Sequence, residues 1–283
     1  MAGAARVLRS AGRIEVAPAA GGYDSLVVFT HGLGDTAEGF SDVAEMFARQ
    51  LQGVKFVLPT APVQPVTLNG GMRMTSWYDI TGLSDRASEE CEGIVESSNI
   101  LRKIMDDEHE LGVPYDRMVL AGFSQGGALS LFTGLQQPPE KKCAGVLVLS
   151  GYLAASKKFT LSEAGKTTPT LHCHGTADPM VRFSWAEQTR DAIVQMGAEN
   201  YELRPFEGLP HSVSGEELQV ALDFIRKVLP NVPQKAAQDM SMRELKNAIT
   251  RAGLGNKAVD LLEKKDYVDL LEKAQSEAGK REL

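Results

Sequence analysis

The chain is poor in the features that would tie it to an oxidising compartment, a membrane or a nucleic acid. Its 283 residues include 3 cysteines. Cys91, Cys143 and Cys173 are an odd, sparse set without metal-ligand spacing, which argues against a disulfide scaffold and for a reducing compartment. No stretch approaches the roughly 18 apolar residues of a membrane-spanning helix. Lys+Arg 30 against Asp+Glu 37 leaves a net charge of -7, which offers no general attraction to nucleic acid or anionic lipid. What is present, 43% hydrophobic and 24% charged residues, is the composition of a globular protein long enough for one large α/β domain plus an appendage.

The termini point the same way. Arg6, Arg9 and Arg13 precede the first acid, Glu15, without the continuous apolar run of a secretory signal, so a cytoplasmic location is expected, with a short Arg-bearing organelle presequence as the alternative. The final Lys280-Arg281-Glu282-Leu283 is one substitution from a KDEL-type retrieval signal, which is read only inside the secretory pathway; without an entry signal it reads as chance.

Between about residues 26 and 229, apolar β-rich runs alternate with longer amphipathic stretches. This predicts a doubly wound α/β fold, mostly parallel, in which crossover helices join the strands. Strands are expected at 26–30, 54–58, 118–122, 144–150, 170–174 and 201–206, and helices at 42–51, 89–110, 126–135, 183–196 and 216–228. The 59–88 connection is long and rich in Pro and Gly, yet carries Leu68, Met72, Met74, Trp77, Ile80 and Leu83, which suits a cover over something apolar. The resulting division is an amino-terminal extension (1–13), a catalytic domain (14–230), a Pro-containing linker (231–239) and a small helical carboxyl-terminal module (240–283). In the module, Ser241 and Glu244 form an S-x-x-E capping box, Gly253 closes that helix and a second begins near Asp266. Leu245, Ile249, Val259, Leu262, Val268 and Leu271 are expected to supply its core.

The chemistry sits after the strand ends, where ligands bind in open α/β sheets. Gly122-Phe123-Ser124-Gln125-Gly126 follows one strand and opens one helix, the context of a nucleophile elbow: small neighbours let the backbone bend and present the serine Oγ above the sheet. A serine hydroxyl needs a base, normally histidine, and the base needs an orienting carboxylate. Of the five histidines, His109 lies near a helix end and faces solvent, while His31 suits a loop-shaping role. His172 and His174 lie on or just past a strand, which leaves His211 as the base. Asp178 also follows a strand end. The order Ser124, Asp178, His211 is that of the α/β-hydrolase arrangement. Oxyanion donors are expected from the backbone amides of Gln125, after the nucleophile, and of Leu33 in His31-Gly32-Leu33-Gly34-Asp35. That stretch has neither G-x-x-x-x-G-K-[ST] nor G-x-G-x-x-G, against a phosphate loop. A metal held by His172, His174 and Asp178 would lack a further ligand and leave the elbow unexplained, so no metal and no cofactor are expected.

Together with 29–36, 72–79 and 207–212, these motifs resemble the phospholipase/carboxylesterase family of α/β hydrolases, in particular its acyl-protein thioesterase branch, over roughly residues 13–230. The resemblance implies Ser124 as nucleophile, Asp178 as orienting acid, His211 as base, Leu33 and Gln125 as oxyanion amides, and a hydrophobic acyl channel beside Met72, Met74 and Trp77. It further implies S-acylated proteins or lysophospholipids as substrates, with peripheral membrane contact. Ala2 stands where some relatives carry a lipidated cysteine, so anchoring by that route is not expected. Phe40 stands where many relatives have tryptophan. Tyr152-Leu153-Ala154 replaces a Trp-Leu-Pro-like run beside the channel, which bears on acyl-chain length. The tail beyond Pro230 resembles a SAP-like helix-loop-helix module. From Asn231 onward it holds 10 Lys+Arg and 9 Asp+Glu, too balanced for a strong phosphate footprint, so a protein-contact or capping role is expected. The functional expectation is a serine hydrolase that cleaves fatty acyl thioesters. The alternatives are a general carboxylesterase or lysophospholipase and, from another class, a binding scaffold acting through the tail.

Overall fold

A computed structural model describes residues 5–18, 22–51, 53–82, 90–232 and 235–281. Its strands are β1 (Ala5–Ser10), β2 (Arg13–Pro18), β3 (Ser25–Thr30), β4 (Val54–Pro59), β5 (Val63–Val66), β6 (Met72–Thr75), β7 (Met118–Phe123), β8 (Gly145–Leu149), β9 (Thr170–Gly175) and β10 (Tyr201–Phe206). The helices are α1 (Ser41–Ala48), α2 (Ile94–Glu110), α3 (Gln125–Gly134), α4 (Glu163–Lys166), α5 (Phe183–Gln195), α6 (Gly215–Val228), α7 (Met242–Arg251) and α8 (Lys264–Arg281). Eight strands form one sheet in the order β1-β2-β4-β3-β7-β8-β9-β10. From β4 to β10 neighbours run parallel, while β1 and β2 add an antiparallel edge.

The central strands read as continuous apolar runs because both of their faces are covered. Along β3, Leu26 and Val28 pack into one core with α2 and α3. Val27 and Phe29 alternate into a second core with α1 and α6 on the opposite face. Helix α3 is buried along its whole length, which accounts for its nearly all-apolar sequence.

Several expectations need correction. The boundary at residue 13 falls between β1 and β2, which pair from Ala5↔Pro18 to Ser10↔Arg13, so the amino-terminal segment is the edge of the sheet. The 59–88 connection holds the hairpin β5–β6, with Val63 opposite Thr75; Leu83 and the residues to 89 lie outside the described residues. Helix α2 begins at Ile94, after a turn in which Cys91 and Gly93 take φ of 46° and 90°. In the tail the capping box forms as expected, Ser241 Oγ accepting from the Glu244 N–H and the Glu244 carboxylate from the Ser241 N–H. Its core is built from Ala237, Met240, Leu245, Ala248, Ile249, Tyr267 and Leu271. Val259 and Leu262, expected in that core, are 76% and 89% exposed. Ala237, assigned to the linker, is buried there instead; Pro233 and Gln234 lie outside the described residues. The terminal Glu282-Leu283 does too.

The module docks near the end of α2. Arg251 donates to the Leu111 carbonyl, and Asn247 Nδ2 donates to the Glu110 carbonyl at 3.2 Å.

Candidate active site

Three parallel strands deliver three side chains to one end of the sheet. β7 runs into Ser124, β9 into the loop carrying Asp178, and β10 into the loop carrying His211. Ser124 sits at φ 55°, ψ -119°, a conformation that costs a non-glycine residue about 1–3 kcal/mol and persists only where its surroundings enforce it. The enforcing contacts are local. Its N–H donates to the Leu149 carbonyl at 2.8 Å, and its carbonyl accepts from the Ala128 N–H at 3.0 Å. Two glycines are required by close approach. A Cβ on Gly122 would stand 2.3 Å from Thr30 Oγ1, and one on Gly126 would stand 2.3 Å from the Thr30 carbonyl oxygen.

Ser124 Oγ lies 2.9 Å from His211 Nε2, and His211 Nδ1 lies 2.6 Å from Asp178 Oδ2. An ionised carboxylate only accepts, so Nδ1 carries the ring proton and Nε2 turns its lone pair to the serine. The other Asp178 oxygen accepts from the Met180 and Val181 N–H groups at 2.8 and 2.9 Å. Burial pushes the Asp178 carboxyl up, but the hydrogen bonds from His211, Val181 and Met180 outweigh it and hold it below its ordinary value. The His211 ring packs on Phe123, centroids 4.9 Å apart, and Phe123 packs on Phe40.

Of the expected oxyanion donors, Gln125 directly follows Ser124, and Leu33 follows Gly32, where an added Cβ would stand 3.5 Å from Ser124 Cβ. Among the described residues the N–H groups of Leu33 and Gln125 meet no acceptor, whereas Gly34 N–H donates to the Thr75 carbonyl and Asp35 N–H to the Gly32 carbonyl. Gln125 opens α3, where first-turn amides have no intrahelical partner. His31 shapes this loop. It accepts from the Ala61 N–H at Nε2, so its Nδ1 proton goes to the Gly32 carbonyl at 2.7 Å, and burial depresses its pKa.

The three residues expected beside an acyl channel are not placed alike. Met74 Sδ lies against Gly34, whereas Met72 is 64% exposed on the hairpin. Trp77 is fully buried; its indole N–H donates to the His31 carbonyl at 2.8 Å, making it a support beneath the loop. Tyr152, Leu153 and Ala154 are buried in the same apolar cluster as Trp77, with Leu33 and Leu68 packed against it. A cavity of about 470 Å³ lies elsewhere, at the seam with the tail, lined by Tyr23, Arg117, Met240 and Arg251 among others.

One organising side chain escaped sequence reading. The Gln125 amide accepts from the Trp77 N–H at 3.0 Å and donates to Ser76 Oγ and the Tyr78 carbonyl at 2.9 and 2.7 Å. It ties the nucleophile's helix to the 76–78 segment. The available signal was a lone amide side chain at the head of a helix otherwise made of small and apolar residues. His109 stacks on Tyr115, outside this cluster. His172 and His174 do share a face, but each is hydrogen-bonded. No group of three metal-ligating side chains occurs among the described residues.

Comparison with known proteins agrees with this geometry. Residues 11–229 match the phospholipase/carboxylesterase family. The chain is 40% identical over 232 residues to acyl-protein thioesterase 1 of Neurospora crassa, covering 78% of this chain and 94% of that protein. It is 41% identical over 210 residues to acyl-protein thioesterase 1 homolog 1 of Dictyostelium discoideum, covering 74% and 92%. The crystal structure of Arabidopsis thaliana SOBER1 superposes with a TM-score of 0.66 at 31% identity, covering 72% of this chain and 99% of that one.

Proposed function

From the premise that the chain belongs to the phospholipase/carboxylesterase family of α/β hydrolases, we propose that it is a serine hydrolase cleaving fatty acyl thioesters, and so depalmitoylating S-acylated proteins. The observation that carries the chemistry is the unbroken hydrogen-bonded series from Ser124 through His211 to Asp178. His211 Nε2 takes the Ser124 proton as Oγ bonds to the acyl carbonyl carbon. The oxygen that gains charge is received by the Leu33 and Gln125 N–H groups, each such donor being worth roughly two to three decades in rate. As the C–S bond breaks, His211 returns the proton to the departing sulfur. A water deprotonated by the same nitrogen then releases the fatty acid from Ser124. Asp178 holds the imidazole in its working tautomer and faces the imidazolium in each half-reaction.

The thioester preference rests on relatives named acyl-protein thioesterase. A thiol of ordinary pKa about 8.5 is also a better leaving group than an alcohol. The acyl chain is assigned to the apolar cluster beside Leu33, Leu68 and Val181. Exposed Val63, Met72 and Met180, at 56%, 64% and 49%, suit peripheral contact with the membrane that holds such substrates. The protein is assigned to the cytoplasm. Among the described residues no helix is long and apolar enough to cross a membrane. The tail is assigned a protein-contact role.

The test is hydrolysis of a palmitoylated cysteine peptide beside its oxygen-ester analogue. Faster thioester turnover supports the reading. Equal or faster ester turnover moves the protein to the general carboxylesterase or lysophospholipase class.

A further inference from the structure

Behind Asp178 lies a second hydrogen-bonded series that the mechanism above leaves unused. Tyr201 Oη is 2.7 Å from His172 Nδ1, His172 Nε2 is 3.3 Å from His174 Nδ1, and His174 Nε2 is 2.7 Å from the Val181 carbonyl oxygen. His172 and His174 are both 0% exposed. They project from the same face of β9, and Tyr201 opens the neighbouring β10, where its register partner is Thr170.

The direction of every bond follows from the far end. A carbonyl oxygen has no proton to give, so His174 must carry its proton on Nε2. Burial keeps both imidazoles neutral by depressing their pKa values. His174 Nδ1 is therefore an acceptor, which requires the proton of His172 on Nε2. His172 Nδ1 is then the acceptor of the Tyr201 hydroxyl. The Gly151 carbonyl also lies against the His172 ring; the Val181 carbonyl fixes His174 Nδ1 as an acceptor whichever nitrogen of His172 Gly151 faces.

The series ends on the residue that fixes Asp178. Val181 gives its N–H to Asp178 Oδ1 at 2.9 Å and its carbonyl to His174. His174 Nε2 itself lies 3.6 Å from Asp178 Oδ2, the oxygen that receives His211. Were His174 in its other tautomer, a lone pair would face both the Val181 carbonyl and that carboxylate oxygen. We propose that His172 and Tyr201 are positioning residues of the Ser124 site: they hold the His174 ring in the tautomer that the Val181 carbonyl requires, and His174 in turn holds the 178–181 loop and so aims Asp178 at His211. The proposal rests on the serine-hydrolase reading above. It adds to that reading two residues that never touch substrate.

The experiment compares His172→Leu, His172→Gln and Tyr201→Phe with the wild type in kcat and KM on a soluble acyl thioester. It also follows the low-field proton resonance of His211 Nδ1–H. Glutamine keeps a donor for His174 and an acceptor for Tyr201; leucine keeps neither. Displacement of a reacting geometry by an ångström costs up to about 100-fold. A partial loosening of the loop is therefore expected to lower kcat about tenfold in His172→Leu, with KM within twofold of wild type and the low-field resonance shifted or broadened. His172→Gln should remain within about threefold of wild type. Tyr201→Phe, which preserves ring volume, should fall between them and carries the test if His172→Leu does not fold. Wild-type kcat in Tyr201→Phe and His172→Leu, or a glutamine variant no better than leucine, overturns the proposal. Both outcomes require a wild type that turns over substrate through Ser124; without that turnover the hydrolase reading falls and takes this proposal with it.

Discussion

Replacing Gly126 with alanine adds one methyl group where β3 leaves no room. The new Cβ would stand 2.3 Å from the Thr30 carbonyl oxygen and 2.5 Å from that of His31. An ordinary contact begins near 3.4 Å, so α3 and the strand must separate by about 1 Å. Thr30 is held in place, because β3 is paired to β4 as far as Val28 and to β7 through Thr30 itself, opposite Gly122. Two terms oppose each other. Alanine in a helix gains about 0.5–1 kcal/mol over glycine, whereas overpacking costs about 1–3 kcal/mol. The clash prevails by about 1–2 kcal/mol, which lowers the melting temperature of a chain this long by only a few degrees. The effect on rate is larger. Ser124 and the Gln125 amide precede Gly126 directly, and a 1 Å misplacement of a reacting atom costs about 100-fold. The assay is the second-order rate of labelling by a fluorophosphonate, measured beside thermal unfolding. Gly215→Ala serves as control: its Cβ would meet nothing within 4 Å, so its labelling rate should match the wild type and its unfolding temperature should not fall. Wild-type labelling in a folded Gly126→Ala protein would refute the claim that backbone contact at Thr30 sets the elbow.

Three further outcomes are expected. Asp178→Asn should lower kcat by about four decades through loss of the tautomer restraint. Because the folded pKa of Asp178 is depressed, its stabilisation is present above the ordinary carboxylate range and is lost as pH falls through the folded value. The stability gap between wild type and Asp178→Asn should therefore close in acid, and a gap constant down to pH 2 would count against it. Glu217, fully buried in the first turn of α6, is pushed up to about 7 by burial. The raised value means its neutral form is favoured in the fold. Stability is full below the unfolded pKa and falls as pH rises towards 7, so Glu217→Gln should be stabilising by about 2–3 kcal/mol at pH 8 and near neutral at pH 4; equal unfolding curves at the two pH values would sink the argument. Gln125→Leu strands the buried Trp77 N–H, while Ser76 Oγ keeps its own hydrogen bond to the Tyr78 carbonyl; a buried group left unpaired costs about 1–3 kcal/mol. Chemical denaturation should show a loss of about 1–3 kcal/mol, and an unchanged midpoint would remove Gln125 as the tie between α3 and the 76–78 segment.

The parts of this structure legible in the sequence are those whose physics is local or doubly constrained. β3, β7 and β8 stood out because burial on both faces demands unbroken apolar runs, β4 and β9 although Lys55, and His172 with His174, interrupt otherwise buried strands, and Ser241 with Glu244 marked a helix start because a capping box is a four-residue event. β1 was hidden: Leu8 is 49% exposed, and no apolar alternation separates an edge strand from an extension. The hairpin β5–β6 was masked by Pro65, Gly70 and Gly71, which suit a loop equally well. Trp77 resembled a channel wall because composition cannot tell a side chain that lines a cavity from one that closes the space beneath a loop. Val259 and Leu262 fitted a helical period, but α8 begins at Lys264, so neither lies on a helix. For Ser124, Asp178 and His211, the order along the chain and placement after strand ends were sufficient to select the three side chains that stand together. The support given by Gln125, His172 and Tyr201 depends on partners distant in sequence.

The central claim is that Ser124 carries the hydrolysis of fatty acyl thioesters. Its most direct test is thiol release from a palmitoylated cysteine peptide by the wild-type chain and by Ser124→Ala, both confirmed folded by their unfolding transitions. The account predicts turnover in the wild type, with one fatty acid released per thiol, and its loss by at least three decades in the variant, since the base and oxyanion amides alone leave only residual catalysis. Comparable thiol release from the two proteins, or none from the wild type, would contradict it.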